Sequence, residues 1–295
     1  MKIGILESRQ DPFILDVVGR LKDFQTEFLS FKDPDVPVRS ECSVVIDRIS
    51  FCHTYLREIV KNLSLSGAYV LNNPFAAFTT NKLVELKICQ SLGISHPRTT
   101  LLPNQYWRED LAEIIREPDF EEVASFVGLP CVVKPFDGYG WSNVFFVSSI
   151  QELKDVYESK RQDYTLLVQQ QIRYAEYYRA FCINKRDVLF IKWVPRPLAM
   201  GEYLVSDLKP VESQLETMTR QTATLNTALD LDVNAVEWCI DEAGKTWLIE
   251  AFNEVPDIDK QSIPQPYYDW IVDKFTNCVI DKAVTRARNK TIFGL

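Results

Sequence analysis

The first 75 residues alternate short apolar runs with amphipathic stretches, and this alternation limits the fold more than any other feature of the chain. The runs KIGIL, CSVVIDRIS and GAYVLN are strand-like, whereas DPFILDVVGRLKDF and CHTYLREIVKNLSL have helical spacing. Strands that alternate with helices predict a small parallel sheet. Ligands of such sheets meet the carboxyl ends of the strands, and Ser8, Arg9 and Arg48 follow such ends.

The later part of the chain has a different pattern, in which strands follow one another across short turns. The strand CVVKP, a glycine-containing loop and the strand VFFVS predict an antiparallel hairpin. Two further pairs follow, YYRAFCIN with DVLFIKWV across NKRD, and VNAVEWCID with TWLIEAFN across EAGK. Each of these turns predicts strands that run in opposite directions.

Helices are predicted between these strands. NKLVELKICQSLG has apolar residues at Leu83, Leu86 and Ile88 and a stop signal at Gly93, and a long polar helix covers roughly residues 211 to 230. We therefore expect an α/β protein with a small parallel-sheet domain over residues 1–75, followed by two α+β subdomains over 76–168 and 169–295.

Composition excludes several classes of function. The net charge is -8, and no run of Lys or Arg is long enough to follow a nucleic-acid backbone. No apolar stretch approaches the ~20 residues of a membrane span, and the N-terminus lacks a secretory signal. The seven cysteines are odd in number and scattered, which indicates reduced thiols and a cytoplasmic location. With His53 and His96 as the only histidines, a zinc site or a histidine triad is not expected.

Lys134 stands at the end of an apolar strand, where a charge is costly unless it meets an anion. The alternative is a lysine whose ammonium group reaches water at the strand end. Gly138 and Gly140 follow in the loop FDGYGWSN, and closely spaced glycines let backbone amides approach a phosphate. The same loop is also compatible with an ordinary hairpin turn.

Glu237 and Glu250 are thirteen residues apart across the EAGK turn, so they can face each other on two antiparallel strands. Glu250 follows a nearly apolar run, and a carboxylate that is wholly or partly buried there needs a partner. Two carboxylates with the amide oxygen of Asn253 supply the oxygen ligands that magnesium takes beside phosphates. Exposed strand acids are the alternative.

The strand TLLVQQQI ends in Gln169, Gln170 and Gln171. Its tail could offer backbone hydrogen bonds to a flat heterocycle. Taken alone, its polar residues are more typical of an edge strand.

In this order the elements resemble the ATP-grasp superfamily, nearest to ribosomal-protein glutamate ligases and glutathione synthetase, from about residue 40 to 260. The most specific part is YVLNNPFAAFTTNKLVELKICQSLGISHPRT. It resembles the family's entry segment, which has Asn-x-Pro, a lysine that opens a helix, and Gly-Ile-x-x-Pro-x-Thr. The resemblance implies that two α+β subdomains clasp the nucleotide and that Lys82 contacts its phosphates, unless Lys82 is a solvated lysine at a helix start.

The resemblance also implies roles for the residues that follow. Lys134 would contact the phosphates and the adenine, under a flexible loop with Gly138 and Gly140. Gln170 replaces the usual acid of the adenine hinge, and the backbone of Gln171 and Ile172 would face adenine. Further implied residues are a ribose acid at Glu176, basic residues for phosphate or acyl-phosphate at Arg179 and Lys192, and metal ligands at Glu237, Glu250 and Asn253. IEAFN has one residue more than the family's usual Glu-x-Asn, and Arg179 and Lys192 are alternatively surface charges.

The function that the resemblance implies is an ATP-dependent carboxylate-amine ligase that uses ATP with Mg²⁺ or Mn²⁺. Its partners would be a small carboxylate and an amine, such as an amino acid or peptide, and a homodimer is a family-level expectation. Arg48 would hold a substrate carboxylate with its guanidinium fork, or else form a salt bridge at a helix start. A small-molecule kinase and a degenerate nucleotide-binding protein that recruits a partner remain as alternatives.

Overall fold

The N-terminal part of the chain forms a parallel sheet with helices, as the sequence predicts. The computed structural model describes residues 1–32, 34–36, 38–105, 114–138, 142–196, 201–206 and 209–291. The strands of the first sheet are β1 (Lys2–Leu6), β2 (Gln25–Phe28), β3 (Val44–Asp47) and β4 (Tyr69–Leu71), in the order β2-β1-β3-β4. The helices are α1 (Pro12–Arg20) and α2 (Thr54–Leu65), with a 3₁₀ turn at Ser50–Cys52. Helix α1 begins where Asp11 accepts a hydrogen bond from Ile14 N at 2.7 Å.

Two helices lead out of the first sheet, the single turn α3 (Pro74–Ala77) and α4 (Lys82–Ser91). Asn81 caps α4 by accepting from the amides of Leu83 and Val84, and Gly93 ends the segment with a φ of 67°. The buried face of α4 differs from its apolar positions, because Leu83 is exposed and Glu85 and Cys89 are buried. Helix α4 is therefore rotated so that a carboxylate faces the interior.

The second sheet is antiparallel and is covered by its own two helices. Its strands and helices are β5 (Thr99–Leu102), α5 (Phe120–Val127), β6 (Cys131–Pro135), β7 (Phe145–Val147), α6 (Ile150–Lys160) and β8 (Leu166–Gln170). The predicted hairpin of β6 and β7 is confirmed. The edge-strand interpretation of β8 is wrong, because the order is β5-β8-β6-β7. The polar Gln169 is tolerated inside the sheet because its Nε2 donates to Thr99 Oγ1 at 3.0 Å.

The third sheet is also antiparallel and contains both other predicted strand pairs. Its elements are β9 (Tyr174–Ile183), β10 (Asp187–Val194), β11 (Glu202–Leu204), α7 (Glu212–Ala228), β12 (Val233–Asp241), β13 (Thr246–Glu250) and α8 (Gln265–Val284). The strand order is β11-β10-β9-β12-β13. Asn184 and Lys185 have φ values of 53° and 60°, as the tight turn between β9 and β10 requires. The chain is thus an α/β protein, and its described residues form one parallel and two antiparallel sheets.

Packing joins the first and third sheets. One core contains Ile5 of the first sheet, Phe181 of the third and Phe275 of α8, all nearly inaccessible to solvent. The second sheet has a core around Val133 and Val168. In the part of the chain that the structure describes, all residues of this core lie between Leu102 and Val168. The second sheet therefore has a separate core, while the other two share one. The exact domain boundaries stay a prediction.

Two asparagine side chains extend sheet hydrogen bonding where strands end. Asn72, just after β4, accepts from Val233 N at 2.8 Å and donates to Val233 O at 2.7 Å. Asn289, after α8, accepts from Val70 N at 2.7 Å and donates to Val70 O at 2.9 Å. Asn72 thereby ties the first sheet to the third, and Asn289 closes the outer edge of β4.

Within the described ranges, no helix is both long and apolar enough to cross a bilayer.

Candidate active site

Glu237 and Glu250 lie directly opposite each other on β12 and β13, so the predicted pairing is confirmed. The register shifts beside Glu237, where Trp238 pairs with Leu248 and one extra residue lies on β13. Burial, together with the charge of Glu250, raises the pKa of Glu237. Burial also opposes ionisation of Glu250, but the charges of Lys82 and Lys134 outweigh it and lower the pKa of that carboxyl. Glu250 is therefore the carboxyl group that ionises more readily, and Glu237 is the one that holds its proton more readily.

Lys82, the first residue of α4, contacts Glu250. Its Nζ lies 3.0 Å from Glu250 Oε1 and donates to Gly138 O at 2.8 Å. Burial disfavours the ammonium ion, but Glu250 outweighs that effect and raises the pKa of Lys82. Lys82 thus joins the helix start, the acid pair and the loop that follows β6.

Lys134 approaches the same acids from the second sheet. Residues alternate along β6, so Val133 packs into the core of that sheet while Lys134 projects from the opposite face. The charge of Lys134 contributes to lowering the pKa of Glu250. The structure therefore brings Lys82, Lys134, Gly138, Glu237 and Glu250 together, whereas Gly140 lies outside the described residues.

Arg179 on β9 stands opposite Glu237 on β12. Its Nη1 donates to Tyr203 Oη at 2.8 Å, and its guanidinium lies 5.3 Å from the centre of the Trp193 ring. The side-chain amide of Asn253 is oriented so that its oxygen and nitrogen both have hydrogen-bond partners. In this orientation Oδ1 accepts from Arg179 Nη2 at 2.5 Å. In this structure the oxygen predicted as a metal ligand thus contacts a guanidinium.

Lys192 and Glu176 lie on the other face of the third sheet. Lys192 pairs with Tyr178, a neighbour of Arg179 in the strand, and adjacent residues of a strand face opposite ways. Lys192 Nζ lies 2.7 Å from Glu176 Oε2, and Lys209 Nζ lies 3.1 Å from Glu176 Oε1. The structure therefore does not bring Lys192 and Glu176 to the acid pair.

The three predicted hinge residues lie where the second sheet meets the third. Gln170 ends β8; its N–H donates to Arg98 O at 2.8 Å, and its Oε1 accepts from Arg98 N at 3.3 Å. Gln171 and Ile172 follow in the connection to β9 and are half-buried. Their backbone is thus placed at the junction of the two antiparallel sheets.

Arg48 is half-buried just beyond the carboxyl end of β3. Its Nη2 donates to Pro256 O at 2.9 Å, and its guanidinium lies 4.9 Å from the centre of the Phe13 ring. Burial lowers the pKa of Arg48, although Asp11 and Glu7 act in the opposite direction. The side chain is held by the interior of the first domain and by the segment that follows β13.

Two residues of this region were not predicted from the sequence. Tyr177 Oη donates to Glu237 Oε2 at 2.6 Å. Glu85, one turn after Lys82 on α4, is 4% exposed and accepts from Ala251 N at 3.3 Å. Burial and the neighbouring Glu250 raise the pKa of Glu85 to about 8. The signal for Glu85 was its spacing of three residues from Lys82, which places both on one helix face.

The chemistry of this cluster suits a polyanion with a divalent cation. Glu237 and Glu250 offer hard oxygen ligands, and the cations Lys82, Lys134 and Arg179 surround them. No group of three or more His, Cys, Asp or Glu side chains in the described part of the chain is arranged to hold a metal ion. A Mg²⁺ ion held by Glu237 and Glu250 would take its remaining ligands from phosphate oxygens and water, as is common for this ion.

Solved structures with the same architecture cover nearly the whole chain. A D-alanine–D-alanine ligase from Bacillus anthracis complexed with ATP is 16% identical to this chain. The match covers 97% of this chain and 98% of the ligase chain, with a TM-score of 0.66. The macrocyclase MdnC from Microcystis aeruginosa, bound with the precursor peptide MdnA, is 15% identical, with coverages of 95% and 100% and a TM-score of 0.67. The ATP-grasp ligase PsnB, complexed with a phosphomimetic variant of its minimal precursor, Mg and ADP, is 13% identical, with coverages of 95% and 98% and a TM-score of 0.62.

No protein-family model matches the sequence, and a search of curated proteins gives no match. The similarity is therefore one of fold.

Proposed function

We propose, because this chain has the ATP-grasp fold, that it is an ATP-dependent carboxylate-amine ligase. One observation carries the proposal: Glu237 faces Glu250 in register, and Lys82 Nζ lies 3.0 Å from Glu250. Two carboxylates with adjacent ammonium groups are the parts that phosphoryl transfer needs, because its catalysis is mostly positioning and charge neutralisation.

In this proposal ATP is a substrate and Mg²⁺ or Mn²⁺ is the cofactor. Glu237 and Glu250 hold the metal, which supplies positive charge to the phosphate oxygens. Lys82 and Lys134 bind the phosphates, and the backbone beyond Gln170 faces the adenine. Arg179 neutralises charge on the transferred group, and Asn253 orients Arg179 through the 2.5 Å contact.

The reaction has two balanced steps. A carboxylate oxygen of the first substrate attacks the γ-phosphorus, the bond to the bridging oxygen breaks, and ADP leaves. The amine of the second substrate then attacks the carbonyl carbon of the acyl-phosphate, loses a proton and displaces phosphate. Lys134 and Arg179 stabilise the negative charge that develops in the first step.

Ligases among the similar structures support an amide-forming reaction over a kinase reaction. The precursor peptide in the MdnC structure makes a peptide a candidate substrate beside an amino acid. Seven unpaired thiols, six of them buried, fit the proposed cytoplasmic location. A homodimer is part of the proposal at the level of the family resemblance.

The test is the fate of a carboxylate oxygen. A screen of amino acids and peptides for ATP-dependent phosphate release identifies a carboxylate substrate, which is then labelled with heavy oxygen. We expect one labelled oxygen in the released phosphate, ADP as the nucleotide product, and a hydroxamate when hydroxylamine replaces the amine. AMP with pyrophosphate would indicate an adenylate instead, and a stable phosphorylated product without an amine would indicate a kinase.

A further inference from the structure

The backbone just after Glu250 is held by two buried polar side chains. Ala251 is fully buried; its N–H donates to Glu85 Oε2 at 3.3 Å, and its carbonyl accepts from Asn234 Nδ2 at 2.8 Å. Ordinary ladder pairing of β13 with β12 ends at Glu250. Glu85 and Asn234 thus satisfy both backbone groups of the first residue beyond the ladder.

The same asparagine also holds Asn253. Asn234 Oδ1 accepts from Asn253 N at 2.7 Å, and Asn253 O accepts from Ala235 N at 3.2 Å. Two residues therefore separate two side chains of the candidate site, Glu250 and Asn253, and hydrogen bonds to Ala251 and Asn253 fix the backbone of that stretch. Glu250 and Asn253 follow the spacing Glu-x-x-Asn, one residue longer than the Glu-x-Asn described above. These hydrogen bonds hold the backbone of the longer segment in place.

Satisfying one backbone amide gives little reason for a carboxylate at position 85. Glu85 is 4% exposed and Asn234 is fully buried, and a carboxylate in the interior costs more than an apolar side chain of similar size. Glu85 also lies close enough to Glu250 for like-charge repulsion. What the two residues supply instead is a fixed position for the chain that carries Glu250 and Asn253.

We propose that Glu85 and Asn234 are positioning residues: by clamping residues 251–253 they direct Glu250 toward the metal-nucleotide and Asn253 toward Arg179. This inference rests on the proposed function of the site. Neither residue needs to touch the substrate. Groups that orient metal ligands in this way typically change metal affinity or activity by about 10- to 100-fold when they are removed.

The test measures Mg·ADP binding by isothermal titration calorimetry, with the Mg²⁺ concentration varied, in four variants. Glu85→Met removes the acceptor of the Ala251 amide, and Glu85→Gln keeps an acceptor of the same shape. Asn234→Ala removes both bonds of the asparagine. Asn226→Ala is the matched control, because Asn226 is equally buried but donates to Thr222 O within α7.

We expect Glu85→Met and Asn234→Ala to weaken Mg·ADP binding by about tenfold or more and to raise the Mg²⁺ requirement. Glu85→Gln should bind Mg·ADP as the wild-type protein does. Asn226→Ala should lower the melting temperature without changing the affinity for Mg·ADP. If Asn234→Ala does not fold, Asn234→Ser replaces it, with the same loss expected, because the shorter serine side chain has a single oxygen in place of the two terminal atoms that make these bonds.

Unchanged binding in folded Glu85→Met and Asn234 variants would overturn the positioning role while the nucleotide site stands. A loss in Glu85→Gln as large as in Glu85→Met would also overturn it, because charge rather than the hydrogen bond would then matter. Failure of the wild-type protein to bind Mg·ADP would overturn the proposed function and this inference together.

Discussion

Lys82 Nζ lies 3.0 Å from Glu250 Oε1 while donating to Gly138 O at 2.8 Å. A single ammonium group therefore connects α4, the end of β13 and the loop after β6. Phosphate groups that bind Lys82 must compete with both contacts. Nucleotide and metal binding should for this reason be coupled, since a cation bound at Glu250 replaces the positive charge that Lys82 supplies there.

The first prediction is that magnesium nucleotides stabilise the protein. Mg·ATP or Mg·ADP at 100 times the dissociation constant should add about 2.7 kcal/mol to the free energy of unfolding, or roughly 5 °C in melting temperature. AMP should add much less, because phosphates and metal provide most of the contacts. Thermal shift assays with and without EDTA measure this, and no shift with any magnesium nucleotide would contradict the nucleotide site.

The second prediction concerns Lys134→Met, which keeps the apolar stem and deletes the charge. Loss of one charge-assisted contact costs about 2 kcal/mol, so the dissociation constant of Mg·ATP should rise more than about tenfold. Lys87→Met on the exposed side of α4 is the control and should bind normally. Normal binding by Lys134→Met would mean that this lysine only reaches water at the strand end.

The third prediction is that Glu250→Gln lowers turnover by at least about tenfold in a folded protein, because an amide cannot neutralise metal charge. Glu237→Gln should lower turnover less, since the pKa of Glu237 is already raised and its carboxyl holds its proton more readily. Steady-state phosphate release measures both. Glu242→Gln, in the exposed EAGK turn, is the control. Full activity in both site variants would make the acid pair structural.

The fourth prediction concerns thiol reactivity. Cys52 is exposed and the other six cysteines are buried. Burial raises the pKa of Cys131 to about 11 and that of Cys239 to about 12, which removes the reactive thiolate. Native protein should therefore show one fast thiol in a colorimetric assay and seven after denaturation, and Cys52→Ser should show none. Several fast thiols in native protein would contradict the packing described here.

A short turn between β12 and β13 made it predictable that Glu237 and Glu250 lie near each other on paired strands. Their direct pairing depends on the extra residue on β13, because the register of Trp238 with Leu248 would otherwise place Ile249 opposite Glu237. The same reasoning would have separated Glu176 from Arg179, three residues apart on one strand, because residues an odd number apart face opposite sides. Lys192 is separated in the same way, since the tight turn at Asn184 pairs Lys192 with Tyr178. The charge of a side chain does not reveal which face of the sheet it occupies, whereas strand alternation does.

Other features depend on tertiary contacts that a sequence pattern does not contain. Helix α4 has apolar residues on several sides, so its pattern could not reveal that Glu85 faces inward and Leu83 outward. Strand β8 ends in polar residues, yet it lies inside its sheet because Gln169 finds a partner in Thr99. In both cases a hydrogen bond to a residue distant in sequence lets a polar side chain occupy a buried position.

Asn289 has a consequence for the behaviour of the protein at high concentration. Its amide occupies the N–H and C=O of Val70 on the outermost strand of the first sheet, groups that would otherwise be open to pairing with another molecule. A chain shortened before Asn289 should therefore self-associate as its concentration rises, detectable by light scattering, even if every residue of the candidate active site is intact. We therefore expect the colloidal stability of a preparation to depend on a segment far along the sequence from the strand that it covers.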